Sequence, residues 1–259
     1  MFKNLKMRTK IAFGFGAVIV LLIVVGATGI VFLNNASGGF TEYRGLARDS
    51  NLAADLQSNM LYARMQVKDF VISNQQQDVD EFNEYFAEMD SDLADAQTNI
   101  QNPERAAAVD AIEADVSTYR DTFGEVVNLA AQRNRLVNDV LDVNGPEMEQ
   151  HLTAILTSAE RDGDMTAAYS ASLAMRNLLL ARLYMAKFLD SNEQAHVDRF
   201  NQEYADFQAN LAILDREVQN AERRAELREI VEHADLYRDS FNELSNVIFT
   251  RNTLIEGTL

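Results

Sequence analysis

Two arginines stand at positions that the helical pattern of the chain assigns to a buried core. Apolar residues recur every three or four positions along two long segments, which would place them in a stripe on one face of a helix. The next position of this stripe is Arg133 in one segment and Arg251 in the other. An asparagine follows each of them, Asn134 and Asn252. Burying an unpaired arginine is costly. Each guanidinium therefore needs an internal carboxylate or an anion from outside, and its planar fork suits a carboxylate well.

Two further arginines interrupt or flank apolar stretches earlier in the chain. Arg182 lies between Leu178–Ala181 and Leu183–Ala186, and Arg64 occupies the matching position of an earlier, similar segment. The alternative for all four arginines is a structural ion pair, because the chain contains 40 aspartates and glutamates that could serve as partners. The sequence leaves that alternative open.

These similar segments belong to an internal repeat that covers most of the chain. Three pairs of segments match closely: Asn59–Arg64 with Asn177–Arg182, Tyr119–Phe123 with Tyr237–Phe241, and Arg133–Leu136 with Arg251–Leu254. The two copies span about 41–141 and 159–259. The second copy stops at Leu259, which matches Leu141, so we expect the sequence to be incomplete at its C-terminus.

An apolar stretch near the N-terminus predicts a membrane anchor. Residues 11–33 carry no charged side chain, and as a helix they would extend about 35 Å, enough to cross a bilayer. Basic residues precede the stretch, so residues 1–10 are expected in the cytoplasm and residues 34–259 in the periplasm. The alternative is a cleaved signal peptide, whose apolar region would be shorter than this one.

Each copy of the repeat is predicted to form three helices, because its apolar residues recur with helical spacing and the chain has only 2 prolines. The first helix is expected at about 41–73 and 165–190, the second at about 78–100 and 194–218, and a long third helix follows in each copy. Asn102 should cap the third helix of the first copy, with Pro103 at its first position. We expect Asp142–Pro146 to kink or interrupt this helix, and Arg161–Asp164 to form a turn.

The helix lengths predict two stacked four-helix bundles, each built from two short helices and half of each long helix. The rise along the helices then gathers the arginines into two cationic, tyrosine-lined pockets, one in the bundle near the membrane and one in the outer bundle. The inner pocket is predicted to contain Arg64, Tyr119, Arg251 and Asn252. The outer pocket is predicted to contain Arg133, Asn134, Arg182 and Tyr237. For both tyrosines, the alternative is an ordinary place in the core.

Composition and motifs argue against several functional classes. The chain has no cysteine and only 3 histidines, and its net charge of −17 disfavours binding to nucleic acid. Glu193 and His196 have the spacing found in di-iron bundles, but the further glutamates and the second pair that such a site needs are missing. We therefore predict a protein that is not an enzyme and that uses no metal and no cofactor.

The arrangement of a basic N-terminus, a membrane helix and a duplicated six-helix ectodomain resembles a bacterial methyl-accepting chemotaxis receptor with a helical bimodular sensor domain. The signatures Arg-Asn-x-Leu, at Arg133–Leu136 and Arg251–Leu254, and Asp-x-x-Gly-Pro, at Asp142–Pro146, carry the resemblance. It implies a homodimer in the bacterial inner membrane. It also implies that the receptor signals to a cytoplasmic histidine kinase and its adaptor through a missing C-terminal region.

The resemblance further implies that the ligands are small carboxylates, such as tricarboxylic-acid-cycle intermediates or acetate. Dicarboxylate-binding members tend to cluster arginines on the first helix, whereas Arg64 stands alone here, so the ligand of the inner pocket is open. Two alternative functions also stay open. One is the ectodomain of a sensor histidine kinase that contacts a periplasmic binding protein, and the other is a ligand-free structural bundle anchored in the membrane.

Overall fold

A computed structural model describes residues 6–259, and the described chain is helical throughout, without strands. Part of the predicted cytoplasmic segment, residues 1–5, lies outside the described residues. The α-helices are α1 (Met7–Ser73), α2 (Gln76–Asn99), α3 (Pro103–Arg135), α4 (Asp142–Arg161), α5 (Met165–Ser191), α6 (Gln194–Glu217) and α7 (Ala221–Gly257). The predicted all-α fold is confirmed.

The first helix joins the predicted membrane anchor to the first helix of the repeat without a break. Residues 11–33 lie within α1 and are exposed along their whole length. An 18-residue window of α1 has a mean hydropathy of 2.8 and no buried residue, so this helix is long and apolar enough to cross a membrane. An uncharged surface of this kind fits a lipid environment.

Helix ends recur at equivalent places in the two copies. Asn74 and Asn192, which follow α1 and α5, both adopt left-handed backbone conformations with φ of 58° and 56°. Asparagine tolerates this conformation better than most residues, which suits it to the end of a helix. Asn102 accepts hydrogen bonds from two backbone N–H groups at the start of α3, and Asn220 does the same for α7. The predicted cap at Asn102 is confirmed.

The long third helix of the first copy continues through the predicted break. A π-helical segment, Leu136–Leu141, joins α3 directly to α4, and Pro146 lies inside α4. The helix is therefore not interrupted at Asp142–Pro146, where the sequence predicts a kink or interruption, and changes instead from α to π one turn earlier. Proline lacks the N–H that would bond to Asp142 O, and the helix changes to π-helical hydrogen bonding in the turn before this position.

Two compact units divide the chain, and the first contains residues 80–113 and residues up to Gln66. Its core is lined by apolar side chains of α2, including Phe82, Phe86 and Met89. Arg48 on α1 donates to the side chain and the backbone carbonyl of Asn99 at the end of α2, at 3.1 and 3.0 Å. These contacts hold α1 and α2 together at one end of the unit.

The second unit, residues 67–79 and 114–259, contains a complete four-helix bundle. In this bundle α5 packs between α4 and α6, and α7 packs against both α4 and α6. Stacked aromatic rings fill its core, with Phe200 and Phe241 only 3.6 Å apart between centroids. Such a dense apolar core makes the helices a rigid frame for the polar side chains between them. The predicted stacking of two bundles stays a prediction.

Candidate functional site

Arg133 and Arg251, the arginine pair, lie half-buried on α3 and α7 of the second unit. Arg133 Nη1 donates to Asn134 Oδ1 at 3.0 Å. Arg251 Nε and Nη2 donate to Asn252 Oδ1 at 3.3 and 3.0 Å. Each guanidinium therefore bonds to the neutral amide of the next residue, and no carboxylate within the described part of the chain compensates its positive charge.

The two guanidinium groups also act on each other. Burial lowers the pKa of Arg251, and the positive charge of Arg133 lowers it further. Among residues 6–259, neither arginine forms an ion pair with a carboxylate. Two like charges in a partly desolvated place repel, and an anion between them would relieve this repulsion.

The arginine pair differs from the predicted arrangement, which placed Arg133 in the outer pocket and Arg251 in the inner one. The contacts Gln132–Glu243 and His151–Glu226 show that the continuous α3–α4 segment and α7 run antiparallel. A helical side chain leans toward the N-terminus of its own helix. Gln132 is level with Glu243, so Arg251 lies beyond the level of Arg133 toward the C-terminus of α7, and the two side chains lean toward each other.

A second set of polar side chains surrounds Gly145 on α4. A Cβ atom at Gly145 would lie 3.0 Å from Arg182 Nε and 3.1 Å from Tyr237 Cε2. Only glycine leaves room for both side chains at this distance from the α4 backbone. The structure thus brings together Arg182 and Tyr237, two residues of the predicted outer pocket, and we call this place the Arg182 site.

Tyr237 is fully buried in the Arg182 site, and its O–H donates to Met185 Sδ at 3.4 Å. Burial raises the pKa of Tyr237, while the charge of Arg182 works in the opposite direction and that of Asp142 raises it again. A thioether sulfur is a weak acceptor. The phenol therefore has a donor that a carboxylate oxygen would satisfy better.

Arg182 also has an internal partner. Its Nη1 donates to a carboxylate oxygen of Glu149 on α4, in a short ion pair. The exposed fractions are 27% for the Arg182 side chain and 41% for Glu149, so water reaches this pair. Arg182 therefore forms the structural ion pair that the sequence left open as an alternative. Arg133 and Arg251 have no carboxylate partner among the described residues.

The remaining predicted residues, Arg64 and Tyr119, belong to different units. Arg64 belongs to the first unit and is exposed, on a face of α1 that also exposes Leu61 and Met65. Tyr119 is buried on α3 in the second unit. The grouping of Arg64, Tyr119 and Arg251 in one inner pocket stays a prediction.

Sequence reasoning missed three members of the Arg182 site, namely Gly145, Glu149 and Met185. The pair Gly145–Pro146 predicts a helix break, whereas α4 continues through both residues. A signal was present: Glu149 lies four residues after Gly145, so both residues share one face of α4. A glycine in a buried helical stripe, followed one turn later by an acid, indicates a close approach from another helix.

Buried phenols in the second unit make the bundle sensitive to alkaline pH. Burial raises the pKa of Tyr204 and of Tyr237, which keeps both neutral in the folded protein. An unfolded tyrosine ionises near pH 10. Above that pH, unfolding allows the two phenols to lose their protons. The contribution of the buried tyrosines to the free energy of unfolding is therefore fully present below about pH 10 and is lost as the pH rises further.

We expect a two-step titration of phenolate absorbance at 295 nm. The first step should leave the helical circular dichroism unchanged. The buried pair should ionise only as helicity is lost, and the double variant Tyr204→Phe/Tyr237→Phe should lack this late step. A single reversible step without loss of helicity would contradict the prediction.

Comparison with known proteins adds the family context. A family model described as a four helix bundle sensory module for signal transduction matches residues 4–177. The match includes the apolar stretch, α2–α4 and the beginning of α5. No curated protein matches the chain.

Proposed function

The chain belongs to the four-helix-bundle sensory modules of methyl-accepting chemotaxis receptors, and from this premise we propose that it senses small carboxylates. Modules of this family are periplasmic sensors of transmembrane receptors, and the apolar part of α1 fits membrane insertion. The proposed ligands are tricarboxylic-acid-cycle intermediates or acetate.

The arginine pair is the observation that carries the proposal. Two half-buried guanidinium groups lie near enough for the charge of Arg133 to lower the pKa of Arg251, and each has only an asparagine amide as a hydrogen-bond acceptor among the described residues. A carboxylate between them would accept hydrogen bonds from both arginines and neutralise part of their charge. Asn134 and Asn252, which now accept from the arginines, would then be released to orient the ligand through their amide N–H groups.

The Arg182 site supports the same ligand class. Arg182 and the ring of the buried Tyr237 both lie next to Gly145, and the charge of Arg182 acts on the Tyr237 phenol. We propose that the guanidinium and the phenol O–H are two donors for the oxygens of one carboxylate. A ligand at Arg182 would have to displace Glu149, so we expect its affinity there to be lower than at the arginine pair. The proposal therefore includes one site at the arginine pair and a second at Arg182.

We further propose the helical bimodular subtype, a homodimeric receptor in the inner membrane, and output to a cytoplasmic histidine kinase. The complete four-helix bundle of the second unit supports two modules, because the first copy of the repeat contributes further helices outside that bundle. A ligand that joins α3 to α7 would change how these long helices are held together. In a receptor, such a change is the event that must be passed across the membrane.

The test measures thermal unfolding of the full chain in detergent micelles against a panel of succinate, malate, citrate and acetate. A ligand at 100 times its Kd adds about 2.7 kcal/mol of stability, which raises Tm by several degrees. Arg251→Ala should abolish the shift caused by a ligand of the arginine pair. The matched control is Arg238→Ala, since Arg238 is on the same helix but pairs with Asp235 and Asp239.

The outcome separates the proposed function from its rivals. A shift that is lost in Arg251→Ala and kept in Arg238→Ala supports a carboxylate sensor. A folded protein that shows no shift with any of the four ligands contradicts it. That result would favour a sensor-kinase ectodomain that contacts a periplasmic binding protein, or a ligand-free structural bundle.

A further inference from the structure

The two partners in the Arg182–Glu149 ion pair are held very differently. Arg182 is the more buried partner, with 27% of its side chain exposed, and its Cδ and Nε pack over Gly145, where an added Cβ would stand 3.3 and 3.0 Å from them. Glu149 is on the more exposed side of the pair, with 41% of its side chain accessible to water. We therefore expect a rotation of the Glu149 side chain into water to be the movement that opens the pair.

We propose that Glu149 is a tethered competitor, a carboxylate that occupies Arg182 until the carboxylate of a ligand replaces it. This inference rests on the proposed function, because it assumes that Arg182 binds a carboxylate. The exchange keeps the charge balance at Arg182, and Glu149 moves into water, where a half-exposed carboxylate is readily solvated.

The phenol of Tyr237 gives the ligand its advantage over Glu149. The Tyr237 O–H donates to the Met185 sulfur, whereas Glu149 bonds to Arg182. A free carboxylate can enter with one oxygen on Arg182 and the other on the Tyr237 O–H, a charge-assisted hydrogen bond that replaces a weak one. The ligand thus gains a contact that the tethered carboxylate does not make.

The competition also couples the ligand to the packing of two helices. Glu149 lies on α4 and Arg182 on α5, so their ion pair joins these neighbouring helices. A ligand that takes over Arg182 cuts this link and ties α5 to Tyr237 on α7 instead. Glu149 therefore sets both the affinity of the site and the helix contact that changes on binding.

The experiment is isothermal titration of acetate into the full chain in detergent micelles. All proteins carry Arg251→Ala, which removes the arginine pair as a second acetate site, and the comparison is between the otherwise wild-type protein, Glu149→Gln and Arg182→Ala. Glu149→Gln should bind acetate about two- to fivefold more tightly, the range expected when a partly exposed ion pair no longer competes. Arg182→Ala should bind no acetate at this site, alone or combined with Glu149→Gln. Glu147→Gln is the matched control, since Glu147 is a similarly exposed acid on α4 that faces His233 instead of Arg182.

The possible results decide the role of Glu149 separately from the proposed function. Tighter binding in Glu149→Gln with no change in Glu147→Gln supports the tethered competitor, and so does binding by Glu149→Gln alone. Equal affinity in the otherwise wild-type protein and Glu149→Gln, with binding lost in Arg182→Ala, overturns it and leaves a carboxylate site at Arg182. No binding by either protein also overturns it, while the thermal shifts of the Arg251 variant still decide the proposed function.

Discussion

Replacing Asp164 with alanine is expected to lower the free energy of unfolding by about 2–4 kcal/mol. Asp164 caps α5 by accepting a hydrogen bond from Ala167 N at 3.1 Å. It also accepts one from Arg223 Nη2 at 3.0 Å, and the Arg223 side chain is only 6% exposed. The variant therefore loses a helix cap and leaves a buried cation with Asp162 as its remaining ion-pair partner.

Chemical denaturation followed by circular dichroism measures this loss. Asp215→Ala is the matched control, because Asp215 also pairs with an arginine, Arg224, at 3.9 Å, but both side chains are largely exposed. An exposed pair contributes about 0–1 kcal/mol. Equal destabilisation by the two variants would show that the burial of Arg223 does not strengthen its ion pairs.

Gly145→Val is expected to destabilise the second unit by about 1–3 kcal/mol and to abolish carboxylate binding at the Arg182 site. The new Cβ would stand 3.0 Å from Arg182 Nε and 3.1 Å from the buried Tyr237 ring, and the two methyl groups beyond it need still more space. Arg182 would be pushed away from Tyr237, so the two donors could no longer hold the same carboxylate.

Gly124→Val is the control for the effect of the amino-acid exchange itself. Gly124 is also a helical glycine, but a Cβ there would meet nothing within 4 Å. Valine has a somewhat higher helix propensity than glycine, so this variant should be neutral or slightly more stable, within about 0.5 kcal/mol. Denaturation midpoints and acetate titration of both variants give the comparison, and a Gly145→Val protein with wild-type stability and binding would refute the close-packing interpretation.

Much of the fold could be predicted from the sequence because the repeat supplies two independent copies of each helix. The turns after Ser73 and Ser191 carry the same Asn, and the structure places both in the same left-handed conformation. Asn102 and Pro103 also mark the start of α3 correctly. These signals are local, since a cap or a turn depends on only a few consecutive residues.

The candidate site was harder to predict because its geometry depends on contacts between helices. The stripe that contains Arg133 and Arg251 was visible in the sequence, but their approach follows from antiparallel packing and from the lean of each side chain. Glu149 could not be distinguished from other surface acids without knowing that Arg182 faces it. Local patterns identified the cations, whereas the choice between an ion pair and a free charge required the three-dimensional structure.

The π-helical segment Leu136–Leu141 shifts the phase of the core stripe by one residue. If the core-facing positions kept a seven-residue repeat from Val126, they would be Arg133, Val140 and Glu147. The buried residues are instead Leu141 and Met148, each one position later.

One residue corresponds to about 100° of rotation around a helix. A continuous α-helix would therefore turn Gly145 away from Arg182 and present a neighbouring side chain in its place. The contact between Gly145 and Arg182 therefore exists only in the register that the π-helical segment sets, so six residues without a polar role in the site determine which side chain of α4 faces Arg182.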